Sequence, residues 1–291
     1  MRVLQIGAGP CGVTAFRQLY KRLNASCDWL DYVIADAGTP GSGLAFGTQF
    51  NTHILNLPAS TMSVDPDNPL EFVQWRSHYQ AFWDDGSYTG DDAWSEFPPR
   101  RLFGQYASSV MHRLLNGASN ASLVKRRVCS VSEVAGCNKL VVQYDSGESE
   151  LFDKVILCVG HLPVSPLFSA DHARYRPSPY VSLDVPPHAS VGIIGSTLTA
   201  IDAVLALKES GHVGNVTMMS RSGKLPKVID LRPPSYDSQA FLKCLQADPR
   251  TSSKSLIEMH RMEIERVAGG PAALRKQALA SSPMRHRLGR R

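Results

Sequence analysis

Three glycines at the end of an apolar run, Gly7, Gly9 and Gly12, and a carboxylate 24 residues beyond the last of them, Asp36, are the residue types that hold a dinucleotide. Gly7 permits a tight turn out of a strand. Gly9 lets a pyrophosphate approach the backbone, and Gly12 lets the following helix pack on that strand. Pro10 and Cys11 complete the turn, and the helix beginning there offers unpaired N–H groups and positive potential to phosphate. Asp36 would accept hydrogen bonds from the adenosine ribose. Cys11 lies inside the turn, where its neighbours suggest packing rather than catalysis. A second, imperfect copy follows in "GSTLTA": Gly195 and Ala200 hold the first and third places, but Thr197 stands at the second.

These residues need strand–helix–strand units around them. "VLQI" (3–6) reads as a short apolar strand, "VTAFRQLYKRL" (13–23) as a helix with Ala15, Leu19 and Leu23 on one face, and "DYVIAD" as the next strand, ending at Asp36. "SVGIIG" (190–195), "LTAIDAVLALKESG" (198–211) and "NVTMMSR" (215–221) repeat the pattern. Between the two, a helical insertion rich in Trp and Tyr (75–94) and a helix over 102–115 lead into "LVKRRVCSVSEV", "KLVVQYDSG" and "ESELFDKVILCVGH". Those three segments carry the alternation and the Asp-Ser-Gly turn chemistry of short antiparallel strands.

The stretch from Gly38 to Trp75 is too long and glycine-rich for an ordinary connection, and long structured loops are usually functional. Its "GSGLAFGT", "HILNLPASTM" and "DNPLEFVQW" segments, joined to the first glycine fingerprint, resemble the FAD/NAD(P)-binding flavoproteins with two dinucleotide folds. That group is described as FAD-dependent oxidoreductases and hydroxylases, and is distantly similar to the NADPH-dependent flavin monooxygenases. The resemblance spans residues 1 to about 230. It implies FAD in the first fold, with Gly43, Leu44, Ala45, Asn56, Leu57 and Met62 beside the flavin and Val128 touching adenine through its backbone. It also implies that "LCVGHLP" (157–163) is the turn closing the FAD domain, with Gly160 matching that turn's glycine.

A second dinucleotide fold in a flavoprotein meets a nicotinamide cofactor, bound by Gly195, Ser196, Thr197 and Leu198. Arg221, at the end of the following strand, suits a 2′-phosphate and favours NADPH over NADH. Thr197 leaves two readings: a fold that has lost its ligand, or a displaced loop whose hydroxyl donates to a phosphate. The presence of Arg221 and "SRSGKLP" favours weak or transient NADPH binding. Longer relatives return to the FAD domain with a segment that contacts the flavin. No such segment is found after Val228, so the flavin's far wall is missing, supplied by another subunit or a protein partner, or replaced by the helices expected from the "SLIE" capping box onward. His53 and His161 lie near the expected flavin, and a loop histidine more often hydrogen-bonds or is solvated than moves a proton. No catalytic residue is assigned.

Composition bounds the rest. With 291 residues, 43% hydrophobic and 8% aromatic, the chain suits a folded protein of two domains. Of the net charge of +5, four units come from Arg285, Arg287, Arg290 and Arg291. The body is therefore close to neutral, which argues against nucleic acid. The six cysteines show neither Cys-x-x-Cys nor zinc spacing, so no metal is expected, and a reduced, cytoplasmic protein without a leader or membrane span follows. The expected fold class is α/β: two Rossmann-like dinucleotide-binding folds with a small β-meander and a helical C-terminal segment, divided at 1–167, 168–232 and 233–291. The expected activity is that of an FAD-dependent oxidoreductase. NADPH would reduce it, and electrons would pass to oxygen or a small organic substrate, with hydroxylation as one outcome. The alternative is a non-catalytic dinucleotide-binding subunit or regulatory module completed by a partner.

Overall fold

The computed structural model describes residues 1–23, 30–79, 96–160, 174–176, 178, 180 and 183–226. The expectations for residues 80–94, for His161, for the domain boundaries at 167/168 and 232/233, and for the C-terminal helices and arginine tail lie outside the described residues. The chain forms two units, Met1–Ser190 with Asp202–Asn215, and Val191–Ile201 with Val216–Arg291.

The first unit is built on β1 (Arg2–Ile6), α1 (Pro10–Leu23), β2 (Asp31–Ala35), the short α2 (Gly43–Phe46), α3 (Glu71–Tyr79) and α4 (Arg100–Gly117). Strands β3 (Ala121–Val124), β4 (Val128–Glu133), β5 (Leu140–Tyr144), β6 (Ser149–Phe152) and β7 (Lys154–Leu157) follow. Four of them make a parallel sheet in the order β3-β2-β1-β7, with Ile6 opposite Ala35 and Leu157. The central strands β1 and β2 are mostly apolar between their charged first residues and their ends because both faces are covered. Val3, Tyr32 and Ile34 face a cluster with Phe16 of α1, Phe72 of α3 and Phe103, Tyr106 and Met111 of α4. Their neighbours Leu4, Val33 and Ala35 face Val142, Tyr144 and Phe152 of the antiparallel meander β4-β5-β6. The alternation of faces along a strand thus sorts each side chain to a helical or a meander layer.

Of the three residues expected on one face of α1, Leu19 packs against the core. Gly12, Val13 and Phe16 are buried and Leu19 and Tyr20 pack against the core, while Ala15 is half-buried; the side chain of Leu23 lies outside the description. The close contact of Gly12 with the turn sets the rotation of the helix. A Cβ at Gly12 would stand 2.2 Å from the Gly7 carbonyl oxygen. An ion-pair network then fixes the chain before α3: Arg17 of α1 meets Asp65 and Glu71, each at 2.6 Å, and the Tyr106 hydroxyl donates to Glu71 at 2.6 Å.

The second unit contains the parallel pair β8 (Val191–Ile194) and β9 (Val216–Met219), with Ile194 opposite Met219. The crossover helix α5 (Leu198–Glu209) starts in this unit, and its residues from Asp202 onward count with the first. Among the described residues no helix is long and apolar enough to cross a membrane.

Candidate functional site

The three glycines of the first turn answer to different constraints. Gly7 has φ +101°, its N–H donates to the Ala35 carbonyl at 2.9 Å, and a Cβ there would lie 2.2 Å from the Cys158 carbonyl oxygen. The turn is therefore wedged between β2 and the end of β7, and only glycine fits. Gly12 is excluded from carrying a side chain by the Gly7 carbonyl. Gly9 is different: a Cβ would meet nothing nearer than the Gly43 Cα at 3.5 Å, an ordinary contact. Its carbonyl accepts the Val13 N–H at 2.9 Å, which places it as the cap of α1. The protein's own packing does not demand glycine at this position, so its bareness keeps the outer surface of the turn open, as a pyrophosphate requires.

Around this turn the structure gathers several of the expected residues. Asp36 follows β2, and its two carboxylate oxygens accept the N–H groups of Ala8 at 2.6 Å and Gly38 at 2.7 Å. Each oxygen retains a lone pair for a ribose hydroxyl. The Gly41 N–H donates to the Ala8 carbonyl at 2.6 Å, and Gly43, with φ +57°, lies against Gly9 and Pro10. Leu44 is 55% exposed and Ala45 half-buried in the short helix that starts there. Beyond Cys158, which flanks Gly7, the chain reaches Gly160 with φ +64°, and Leu157 stands 68% exposed at the carboxyl end of β7. Large apolar side chains left open at the carboxyl edge of a parallel sheet mark where such folds take a ligand.

Other expectations resolve differently. Cys11 is exposed rather than packed, because Gly12 and Val13 take the inward positions of the first helical turn. Asn56 and Leu57 are exposed, but Met62 packs against the core and Val128 against the meander-side cluster. No hydrogen bond among the described residues joins these four to the Gly7–Gly12 turn.

His53 is fully buried. Its Nε2 lies 3.1 Å from the Asp202 carbonyl oxygen, which can only accept, so Nε2 carries the proton. Nδ1 then accepts from the Thr48 hydroxyl at 2.7 Å. Burial pushes the imidazole below its usual value, and with both nitrogens committed it is a neutral structural group. Beside it the Asp202 side chain, 2% exposed, pairs with Arg100 at 3.0 Å, and burial pushes its carboxyl up to about 6 against the pull of that guanidinium. Arg100 also donates to the Ile54 carbonyl and to the Tyr180 hydroxyl, both at 2.9 Å. Glu209 accepts the N–H groups of Asn51 and Thr52, each at 3.0 Å. This set holds residues 48–54 in place and went unread in the sequence, although a carboxylate in the apolar run "LTAIDAVLAL" is a signal for it. Gln5 was also unread. Fully buried, it donates to the Gly7 carbonyl at 2.8 Å and accepts from the Tyr32 hydroxyl at 2.8 Å, which props the turn from beneath.

The second turn repeats the construction of the first. Gly195 has φ +118°, and its N–H donates to the Met219 carbonyl at 2.7 Å, as Gly7 does to Ala35. The Thr197 carbonyl accepts from Ala200 at 3.0 Å and Ile201 at 3.1 Å, so Thr197 caps α5 as Gly9 caps α1. Threonine is a favoured cap residue. Its side chain is exposed, Leu198 is half-buried, and Arg221 is exposed in the turn just beyond β9. Ser196 is only 7% exposed, and its hydroxyl is engaged by Ser220 and the Lys224 carbonyl.

A family model described as FAD-NAD(P)-binding matches residues 5–162. Among solved structures, cyclohexanone monooxygenase from Rhodococcus sp. Phi1 bound to NADP+ is similar at 18% identity and a TM-score of 0.53, covering 85% of this chain and 42% of that one. A triple mutant of the same enzyme, also bound to NADP+, gives 19% identity, a TM-score of 0.52 and coverage of 85% and 43%. A closed form of cyclohexanone monooxygenase gives 17%, 0.50, and coverage of 76% and 38%. The chain spans less than half the length of these structures, and at such identities the likeness is one of fold. No curated protein matches the chain.

Proposed function

The chain belongs to the FAD-NAD(P)-binding family, and from that premise we propose that it is an FAD-dependent oxidoreductase, reduced by NADPH, that acts on oxygen or a small organic substrate, with monooxygenation as one form of the reaction. The observation that carries the reading is the bare outer surface at Gly9, in a turn whose other two glycines are required by backbone contacts within the chain. A group that needs close backbone approach fits there, and Asp36 stands beside it with acceptor capacity for a ribose. When bound, the flavin supplies the chemistry of taking a hydride from NADPH and passing electrons onward. The chain's own residues bind and orient. The N-terminus of α1 receives the pyrophosphate, Asp36 the ribose hydroxyls, and the exposed apolar rim of Leu44 and Leu157 covers the ring system from water.

At the second turn, Gly195 and the start of α5 receive a nicotinamide dinucleotide and Arg221 grips its 2′-phosphate. A second reading, a dinucleotide-binding subunit without turnover of its own, draws support from the exposed side chain of Thr197 where the pyrophosphate would approach. One experiment tests the first reading and separates it from the second. The absorption spectrum of the purified protein is recorded before and after anaerobic addition of NADPH, and any ligand released on denaturation is identified. Bound FAD that bleaches supports the proposal. Bound FAD that never bleaches favours the second reading, and NAD(P) alone with no flavin after reconstitution overturns the FAD assignment of the first site.

A further inference from the structure

Ser196 directly follows the turn glycine of the second fold, yet its hydroxyl does not face outward. It lies 2.8 Å from the Lys224 carbonyl oxygen and 2.7 Å from the Ser220 hydroxyl. The carbonyl can only accept, so the one proton of Ser196 goes to Lys224, and the contact with Ser220 is donated by Ser220. Ser220 in turn accepts the Gly223 N–H at 3.1 Å. A continuous chain results, Gly223 N–H to Ser220 to Ser196 to the Lys224 carbonyl, in which each hydroxyl donates once and accepts once.

Further bonds shape the same loop. The Gly223 N–H also lies 3.2 Å from the Ser220 carbonyl, and the Lys224 N–H donates to the Ser222 hydroxyl at 3.3 Å. Gly223 has φ +61°, a conformation other residues rarely adopt. The side chains of Arg221 and Lys224 are exposed on this loop, and among the described residues neither is engaged in an ion pair. Two cations within four residues, on a loop tied to the residue after Gly195, form a rigid arrangement suited to a doubly charged phosphate monoester. A flexible loop would lose side-chain and backbone freedom on binding it.

We propose that Ser196 and Ser220 are positioning residues for cofactor discrimination. Their hydroxyl chain holds the 220–224 loop so that Lys224 acts with Arg221 on the 2′-phosphate of NADPH. This rests on the reading of the second turn as a nicotinamide dinucleotide site. Neither serine touches the nucleotide through its hydroxyl, and Lys224 is the additional ligand.

The test is calorimetric titration of the full-length protein with NADP+, NAD+ and inorganic phosphate. The proteins are wild type, Ser220→Ala, Ser220→Thr, Ser196→Ala, Lys224→Ala and Arg221→Ala, with melting temperatures alongside. Wild type is expected to prefer NADP+ over NAD+. Lys224→Ala and Arg221→Ala should each reduce that preference about tenfold, by the loss of one charge-assisted contact. Ser220→Ala and Ser196→Ala should reduce it about fivefold while NAD+ affinity stays within about twofold, since only the 2′-phosphate senses the loop. Ser220→Thr keeps the hydroxyl and should restore the preference. Unchanged preference in the serine variants overturns the inference, as does an equal loss of both nucleotides, which would mark a merely structural role. Binding of inorganic phosphate as tight as that of NADP+ also overturns it, since the loop would then be a general anion site. If wild type binds neither nucleotide, the reading of the second turn fails and this inference falls with it.

Discussion

Alanine at each glycine of the first turn should separate folding from cofactor binding. At Gly7 a side chain must adopt φ +101°, which costs about 1–2 kcal/mol, and its Cβ would stand 2.2 Å from the Cys158 carbonyl oxygen. Relief of that overlap requires β1 and β7 to part, adding about 1–3 kcal/mol. At Gly12 the Cβ would lie 2.2 Å from the Gly7 carbonyl oxygen and 2.7 Å from Gln5 Nε2, again about 1–3 kcal/mol. At Gly9 the nearest atom is 3.5 Å away and φ is unstrained. A gain of about 0.4–1 kcal/mol from a stiffer unfolded chain opposes a poorer helix cap of similar size. The net change in stability should be within about 0.5 kcal/mol. The same alanine holds a pyrophosphate off the backbone, and loss of one hydrogen bond to a charged oxygen weakens FAD binding about ten- to a hundredfold. Urea unfolding of the flavin-free proteins gives the first quantity, and fluorescence titration with FAD the second. The reasoning is refuted if Gly9→Ala loses as much stability as Gly7→Ala, or if it binds FAD as tightly as wild type.

Asp36→Ala should weaken FAD binding about tenfold or more, and because the carboxylate also holds the N–H groups of Ala8 and Gly38, it should lower the stability of the flavin-free protein by about 1.5–3 kcal/mol. Differential scanning calorimetry beside the FAD titration checks both parts. Arg100→Ala removes the countercharge of Asp202 and should cost about 3–5 kcal/mol near pH 8. Burial already raises the Asp202 carboxyl from 3.8 to about 6, so the folded state holds an extra proton in that window and loses stability as pH rises through it. Without Arg100 the window extends upward, so the variant's deficit should be smaller at pH 5 than at pH 8; equal deficits in urea melts at the two values would contradict this. Thr197→Gly should leave the cap of α5 weaker by only a few tenths of a kcal/mol and tighten NADPH binding, measured by titration, if the side chain obstructs the pyrophosphate. Weaker binding by about 0.5–1.5 kcal/mol would instead assign its hydroxyl to a phosphate.

Local chemistry determined much of this protein from the sequence alone. The apolar runs at 3–6 and 31–35, the glycine spacing and the acid at 36 specify a strand–turn–helix–strand unit, because each needs only residues near it in the chain. The second copy at 191–219 is legible for the same reason, and so is the meander, through its alternation and its Asp-Ser-Gly turn. Which distant contacts enforce the roles of these residues was not legible. The fingerprint gives Gly7 the tight turn and Gly9 the open approach, but only the carbonyl of Cys158, far along the chain, shows what makes Gly7 compulsory. Ser196 reads as one contact of the second turn, and only the fold shows its hydroxyl engaged by Ser220 and the Lys224 carbonyl. His53 reads as a hydrogen-bonding or solvated loop residue, and only the fold decides for the first, with Asp202 and Thr48 as its partners. In each case the backbone path follows from local propensity and hydrophobic period, but the partner of a polar atom is set by contacts between distant segments, and burial makes that partner obligatory.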